Sequence, residues 1–412
     1  MYHPTDGLSM SETGVMLPIR PLSTARVAVV HEWLYTYAGA EKVLEQILDL
    51  FPKAEIFSLI DFLPERDRHI LGGRKVHTSF LQKLPFIRKK HQMFLPLMPV
   101  AIEKFNLSSF DIILTSSYAV AKGVLTGPNQ LHLCYCHSPV RYAWDLQHQY
   151  LYQWHIHRGI TSIFAIWILN KLRIWDHVGS NGVDRFISNS RFISRRIWKT
   201  YRRDSKVIYP PVDTSFFVPG STRGDAYVTV SRLVGYKRVD LLVDAFAHMP
   251  DRKLVVIGSG ENLEALRKSA TPNVTFLGRA ESSVLLDTMQ KARAFLFAAE
   301  EDFGISPVEA QACGLPVIAF GRGGALETIR GGYPNGFLPP RPTGVFFKDQ
   351  TVESLIDAIR FFELNEKTFS SEDCVVNARR FTPKVFRERF MEEVSHCWNT
   401  FQLREGYSFP DW

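Results

Sequence analysis

Little in this chain is suited to covalent cross-linking or metal chemistry. Its 412 residues hold five cysteines: Cys134, Cys136, Cys313, Cys374 and Cys397. Their odd number and scattered spacing argue against a disulfide framework and fit a reducing compartment. Cys134 and Cys136 share one face of an apparent strand, but no second pair stands at zinc-ligand spacing, so buried structural thiols are expected. No D-x-D triplet is present to hold a metal on a phosphate, and no G-x-x-x-x-G-K-[ST] loop marks an ATPase. The stretch "IGSGENL" (257–263) has a G-x-G but lacks the third glycine of a dinucleotide fingerprint. Long apolar runs are also missing. "FAIWIL" (164–169) falls far short of the roughly 20 residues that a membrane-crossing helix requires. No secretory pattern is visible, and residues 1–25, polar and broken by Pro and Gly, read as a disordered lead-in. The expectation is a cytoplasmic protein that does not cross a membrane.

What is present is the composition of a globular protein, 45% hydrophobic and 22% charged, with a formal charge of +7. That charge admits nucleic acid, anionic lipid or phosphate-bearing ligands without choosing among them. The length predicts two or three domains. Short apolar runs at 25–33, 54–60, 110–117, 131–138 and 184–190 read as buried parallel strands, with helical patterns such as "GAEKVLEQILDLF" (39–51) between several of them. After the Pro-rich stretch 206–220 the pattern restarts, with strands at 226–233, 253–260, 273–279, 292–300, 315–320 and 344–348. Alternation of this kind predicts two doubly wound, Rossmann-like α/β domains, over 26–207 and 208–382. A last helical pattern in 383–412 is expected to cross back to the first domain. Ligands of such sheets bind outside the carboxyl ends of the strands, so two facing domains predict a cleft between them.

Candidate residues cluster at predicted strand ends. In "SRLVGYKRVD" (231–240), Arg232 offers a planar fork and Lys237 a point charge, a pair suited to a diphosphate, although this stretch taken alone fits better two solvated cations in a loop. "AFGRGGALETI" (319–329) reads as strand, Gly-rich turn and helix start, where Gly323 and Gly324 let an anion approach the backbone. Gly39 in "YAGAEKV" opens a helix in the same way. His137 ends a strand in "CYCHSPVRYAWD"; it suits a sugar hydroxyl, and suits equally a backbone-satisfied structural role. "EEDFGISPVEAQACGLPVIAF" (300–320) holds Glu301 and Glu309, eight positions apart. A capping box explains most of it, with Ser306 as N-cap, Pro307 at N1 and Glu309 at N3, but leaves Glu301 unexplained. The basic amphipathic stretches 82–107 and 191–203 fit either an anionic membrane surface or a solvated face. No nucleic-acid module frames these charges, so nucleic acid is not an expected partner.

The ordered set "VVHEWLYTYAGAEKVL", "CYCHSPVRYAWD", "FISNSRFISRRI", "VIYPPVD", "VSRLVGYKRVDLLVDAF" and "EDFGISPVEAQACGLPVIAFGRGGALETI" spans about residue 26 to 330. It resembles the retaining GT-B glycosyltransferases of family 4, and in particular the bacterial mannosyltransferases of O-antigen and exopolysaccharide synthesis. The resemblance implies that Arg232 and Lys237 neutralise a nucleotide-sugar diphosphate. It places Glu301 against the transferred sugar with the amides of Phe303, Gly304 and Ile305, and Glu309 on the ribose. It sets Gly39 near the phosphates, with Ala38 standing where the family commonly has a second glycine, and His137 near the sugar. It further implies GDP-mannose as donor, no metal or other cofactor, and a polyprenyl-diphosphate-linked saccharide as acceptor at the inner membrane face. A UDP-sugar transferase, a sugar-nucleotide epimerase or phosphorylase on the same architecture, and a non-catalytic membrane-associated scaffold are the alternatives.

Overall fold

The computed structural model describes residues 8–10, 16–18, 20–153, 156 and 158–405. The chain divides into two compact units: Met1–Asn189 with Ile193–Ile208 and Phe386–Trp412, and Ser190–Phe192 with Tyr209–Val385.

The first unit is built on seven parallel strands, β1 (Val27–His31), β2 (Glu55–Ser58), β3 (Val76–Thr78), β4 (Ile112–Ser117), β5 (Leu131–Cys136), β6 (Arg185–Ser188) and β7 (Ser205–Val207), in the order β3-β2-β1-β4-β5-β6-β7. Every residue of β1 is buried because both faces of the sheet are covered, which is why 27–30 read as an unbroken apolar run. Its side chains alternate. Val27 and Val29 join one core, and Ala28 and Val30 join the other. The first core includes α1 (Gly39–Leu50), through Val43, Leu44, Ile47 and Leu48. Phe386, Phe390, Val394 and Trp398, four residues apart along the C-terminal helix, pack into the same core, with Phe386 and Phe390 against Tyr135. The second core receives Leu169 and Leu172 of α2 (Gly159–Gly179). The helical reading of 191–203 falls on α3 (Arg191–Tyr201), which buries Ile193 and Ile197.

The second unit repeats this plan with β8 (Ala226–Val230), β9 (Lys253–Ile257), β10 (Val274–Gly278), β11 (Phe295–Phe297), β12 (Val317–Phe320), β13 (Gly331–Gly332) and β14 (Gly344–Phe347), in the order β10-β9-β8-β11-β12-β14-β13. In both sheets the strand order reverses beside the first strand, at β1/β4 and at β8/β11. A polypeptide leaving these strands at their carboxyl ends diverges to opposite faces and leaves a crevice.

Part of segment 1–25 departs from the expected disordered lead-in. Leu8–Met10 pairs antiparallel with Met16–Pro18, while residues 1–7, 11–15 and 19 lie outside the described residues. Arg20 is tied to the first unit, its guanidinium on Asp111 and its carbonyl accepting from the Trp398 indole at 2.9 Å. Among the described residues, no helix is long and apolar enough to cross a membrane.

Candidate functional site

In the second unit the crevice at β8/β11 collects most of the predicted residues. The chain leaves β8 through Ser231 and Arg232, turns in a short helical segment at Gly235–Lys237, and enters α4 (Val239–Ala247). Gly258 and Gly260, which suggested a partial dinucleotide fingerprint, serve this loop instead. A Cβ on Gly258 would stand 1.8 Å from the Ser231 carbonyl oxygen, and one on Gly260 would stand 2.3 Å from that of Leu233. Only glycine permits that approach. The exposed Arg232 guanidinium donates to the Tyr236 hydroxyl at 2.6 Å. Lys237 Nζ forms an ion pair with Glu301 and lies 5.3 Å from the Tyr236 ring centroid. Both members of the pair are mostly but not fully covered, at 14% and 19% side-chain exposure, so a ligand can reach them.

Glu301 sits between β11 and α5 (Ile305–Ala312). The expected capping box does not form. The helix starts two residues earlier than the sequence suggested, because Gly304 takes a left-handed conformation (φ +83°) and is itself the N-cap. Ser306 and Pro307 therefore lie inside the first turn, and Glu309 is buried further along the helix. Gly304 has no side chain to satisfy the first amides of α5, the free N–H groups and positive dipole end that suit an anion. The helix ends before Gly314, which takes φ +74° and places its amide on Gln311, with the Leu315 amide on Ala310. The Phe303 side chain is buried against Tyr209 and Phe381, so only its backbone is available to a ligand.

Gly323 and Gly324 need a different account from the helix-start reading. The helix after them, Ala325–Thr328, has only four residues, and both glycines are buried. Gly324 donates its amide to the Glu301 carbonyl at 2.7 Å. A Cβ on Gly323 would lie 2.3 Å from that same oxygen, and one on Gly324 would lie 2.3 Å from Phe303 Cα. The two glycines clamp the backbone that carries Glu301.

In the first unit, Gly39 is the first residue of α1 and His137 follows β5 directly. Sequence reasoning missed what surrounds His137. Ser116 Oγ on β4 lies 2.9 Å from His137 Nε2 and 3.0 Å from His31 Nδ1, at the end of β1. Burial, reinforced by His31 and Arg141, pulls the His137 imidazole down to about 3, so it is neutral at ordinary pH. Glu32, next to His31, is fully buried and accepts from five donors at the end of β4 and in the loop after it: the Ser117 hydroxyl and the amides of Tyr118, Ala119, Val120 and Ala121, at 2.7–3.0 Å. The same loop is held from behind by Lys122, whose ammonium pairs with Asp176. That carboxylate also accepts from Trp144 at 2.7 Å and Tyr201 at 2.8 Å. Only "HE" at a strand end hinted at these partners, and their spacing in sequence carries no motif.

Two seven-stranded doubly wound sheets in tandem, each gathering polar side chains at its switch point, define the GT-B class of glycosyltransferase fold. Family models agree: residues 37–216 match Glycosyltransferase Family 4 and residues 213–381 match Glycosyl transferases group 1. Together the two models cover residues 37–381, and they support a family 4 glycosyltransferase. A GDP-mannose-dependent monoacylated alpha-(1-6)-phosphatidylinositol monomannoside mannosyltransferase of Corynebacterium glutamicum is 42% identical over 114 residues, which is 24% of this chain and 30% of that enzyme. The alpha-1,3/1,6-mannosyltransferase alg2 of Schizosaccharomyces pombe is 26% identical over 365 residues, 76% of this chain and 65% of the yeast protein. The chain thus matches between about a third and two thirds of the length of these relatives. Among solved structures, sucrose-phosphate synthase from Thermosynechococcus elongatus superposes with a TM-score of 0.68 at 17% identity, covering 91% of this chain and 100% of that one. Anabaena Alr3699/HepE in complex with UDP gives 0.65 at 17% identity, covering 90% and 100%.

Proposed function

We propose that the protein is a retaining hexosyltransferase that moves mannose from GDP-mannose to a polyprenyl-diphosphate-linked saccharide in surface polysaccharide synthesis. The observation that carries the reading is the Lys237–Glu301 ion pair at the β8/β11 switch point, with Arg232 beside it. When a sugar leaves a nucleotide diphosphate, negative charge grows on the phosphate and positive charge on the anomeric carbon. Lys237 and Arg232 stabilise the first and the Glu301 carboxylate the second, and a front-side displacement then needs no covalent sugar–enzyme intermediate. The Phe303, Gly304 and Ile305 amides add donors, and Glu309 serves the ribose. His137 attends the sugar and Gly39 the phosphates. With two cations on the diphosphate and no D-x-D in the sequence, the reaction proceeds without a metal, and chelation with EDTA leaves turnover unchanged.

Mannose as the transferred sugar draws on the mannosyltransferase relatives in Corynebacterium and fission yeast. A UDP-sugar is the second reading, because Anabaena HepE was solved with UDP. A panel of nucleotide sugars decides between them: turnover of GDP-mannose is the expected result, and turnover of a UDP-sugar alone overturns the donor assignment. Lys237→Ala lowers kcat by roughly 10²–10³, about 2.7–4 kcal/mol, with either donor. Full activity in that variant refutes the diphosphate role.

A lipid-linked acceptor requires a protein that works at a membrane surface, at the cytoplasmic face in this reading. Supporting it, the outward side of α2 is apolar as well as its buried side: Ile160 is 85% exposed, Ile163 70%, Phe164 61% and Trp167 55%. Lys171 lies over the Trp167 ring, and the adjoining α3 presents Trp198 with Arg202 stacked on it at 4.5 Å. Aromatic and aliphatic groups edged by cations suit the boundary of an anionic bilayer.

A further inference from the structure

The least explained group in the first unit is His31. Its ring is fully buried, its Nδ1 meets Ser116 Oγ at 3.0 Å, and its Nε2 has no hydrogen-bond partner among the described residues. Glu41 Oε1 lies 3.5 Å from that nitrogen. The other oxygen of Glu41, Oε2, is committed: it accepts the Ala38 amide at 3.0 Å and so caps the start of α1. Ala38 offers no side-chain oxygen of its own, so Glu41 alone closes this helix end. Its free oxygen is left facing His31.

Ser116 has one hydroxyl hydrogen and two imidazole neighbours. It can donate to only one of them and must accept from the other, so the tautomers of His31 and His137 are interlocked. A carboxylate oxygen is an acceptor only, and favours the proton of His31 on Nε2. His31 Nδ1 is then an acceptor and takes the Ser116 hydrogen. Ser116 Oγ in turn accepts from His137 Nε2–H, and His137 Nδ1 is left as an unprotonated acceptor with no partner among the described residues.

We propose that Glu41, His31 and Ser116 are positioning residues: the Glu41 carboxylate, 3.5 Å from His31 Nε2, sets that ring's tautomer, and the two hydrogen bonds of Ser116 pass the choice to His137, holding it as its Nε2–H tautomer with Nδ1 presented as an acceptor for a substrate hydroxyl. The tautomer assignment stands on the geometry alone. Its use by a hydroxyl rests on the reading of His137 as the group that attends the sugar.

The test is a long-range 1H–15N correlation spectrum of the full chain labelled with 15N-histidine, assigned by the signals lost in His31→Gln and His137→Gln. In the native protein both rings show a protonated Nε2 and an unprotonated Nδ1. Glu41→Gln keeps the cap through its carbonyl oxygen and turns its NH2 toward His31 Nε2. The relay then runs backwards, and both rings become protonated at Nδ1. A native His137 protonated at Nδ1, or a His137 tautomer unmoved by Glu41→Gln, overturns the proposal. Ser116→Ala uncouples the two rings and Ser116→Thr restores the native pattern; a tautomer indifferent to both also overturns it. In the transfer assay Glu41→Gln lowers kcat about tenfold with the donor KM within about twofold, the value of one transition-state hydrogen bond. Inverted tautomers with unchanged turnover leave the relay standing and remove the sugar-facing role of His137, so the two failures are told apart.

Discussion

Glu32 offers the sharpest test of how the first unit is held open at its crevice. Replacing it with Gln changes no volume and removes one charge. The best placement of the new NH2 group is at the Oε2 position, which faces a single donor, the Val120 amide at 2.9 Å. That amide is then buried against another donor, which costs about 1–3 kcal/mol. The four bonds to Oε1, from Ser117, Tyr118, Ala119 and Ala121, survive but become neutral, and charge-assisted bonds are roughly twice as strong as neutral ones. Because the bonds share one loop, these losses do not add, and about 3 kcal/mol for opening the 117–122 loop is the working value. Hydrogen exchange by mass spectrometry reads this locally, which matters in a two-domain chain whose global unfolding is not two-state. Exchange of the Tyr118–Ala121 amides is expected to accelerate on the order of a hundredfold, since each 1.36 kcal/mol is a factor of ten. Peptides of the second unit should be unaffected. Protection within about threefold of the native protein would show that the carboxylate is not what anchors the loop, and would refute the reasoning.

Three further predictions follow from particular contacts. Gly324→Ala forces a Cβ against Phe303 Cα at 2.3 Å and is expected to destabilise the second unit by about 1–3 kcal/mol and to lower transfer activity; Gly182→Ala, whose Cβ meets nothing within 4 Å, is the control in the same urea titration. Glu363 is pushed upward by burial but held below its ordinary value of 4.5 overall by hydrogen bonds from Arg252 and Tyr227 and by the nearby Arg293. A depressed folded value means stability that is complete above the unfolded value and lost as pH falls through the folded one. The urea midpoint of the second unit should therefore drop as pH falls below the ordinary 4.5, and Glu363→Gln should flatten that slope. Trp167→Asp on the outward side of α2 should weaken binding to vesicles of anionic phospholipid without changing transfer to a soluble acceptor, and unchanged co-sedimentation would remove α2 from the membrane reading.

Much of the fold was legible because it depends on short-range pattern. The runs 27–30, 112–114 and Val317–Phe320 are apolar because both faces of each sheet are covered, and that signal survives without knowledge of partners. The short edge strands Val76–Thr78 and Ser205–Val207 were not legible, being three residues each and only partly buried. Local rules also misplaced the start of α5. Ser306-Pro307 makes a good helix entry by propensity, yet Gly304 turns the chain first, which α5 can follow because Val308, Ala310 and Ala312 pack into the sheet from that register. The glycines at 323–324 looked like an anion cradle because sequence shows that a Cβ is missing but not what would collide with it.

Composition, periodicity and the order of motifs determined that this chain forms two doubly wound α/β domains with cations and carboxylates at strand ends. These properties depend on each segment's own alternation and on turn residues within a few positions. Tertiary structure alone decided that Lys237 meets Glu301, 64 positions apart by their numbers, and that Ser116 bridges His31 and His137. Strands adjacent in a parallel sheet are distant in sequence, because a crossover must separate them. The groups that meet at their carboxyl ends therefore share no spacing that a linear reading can detect.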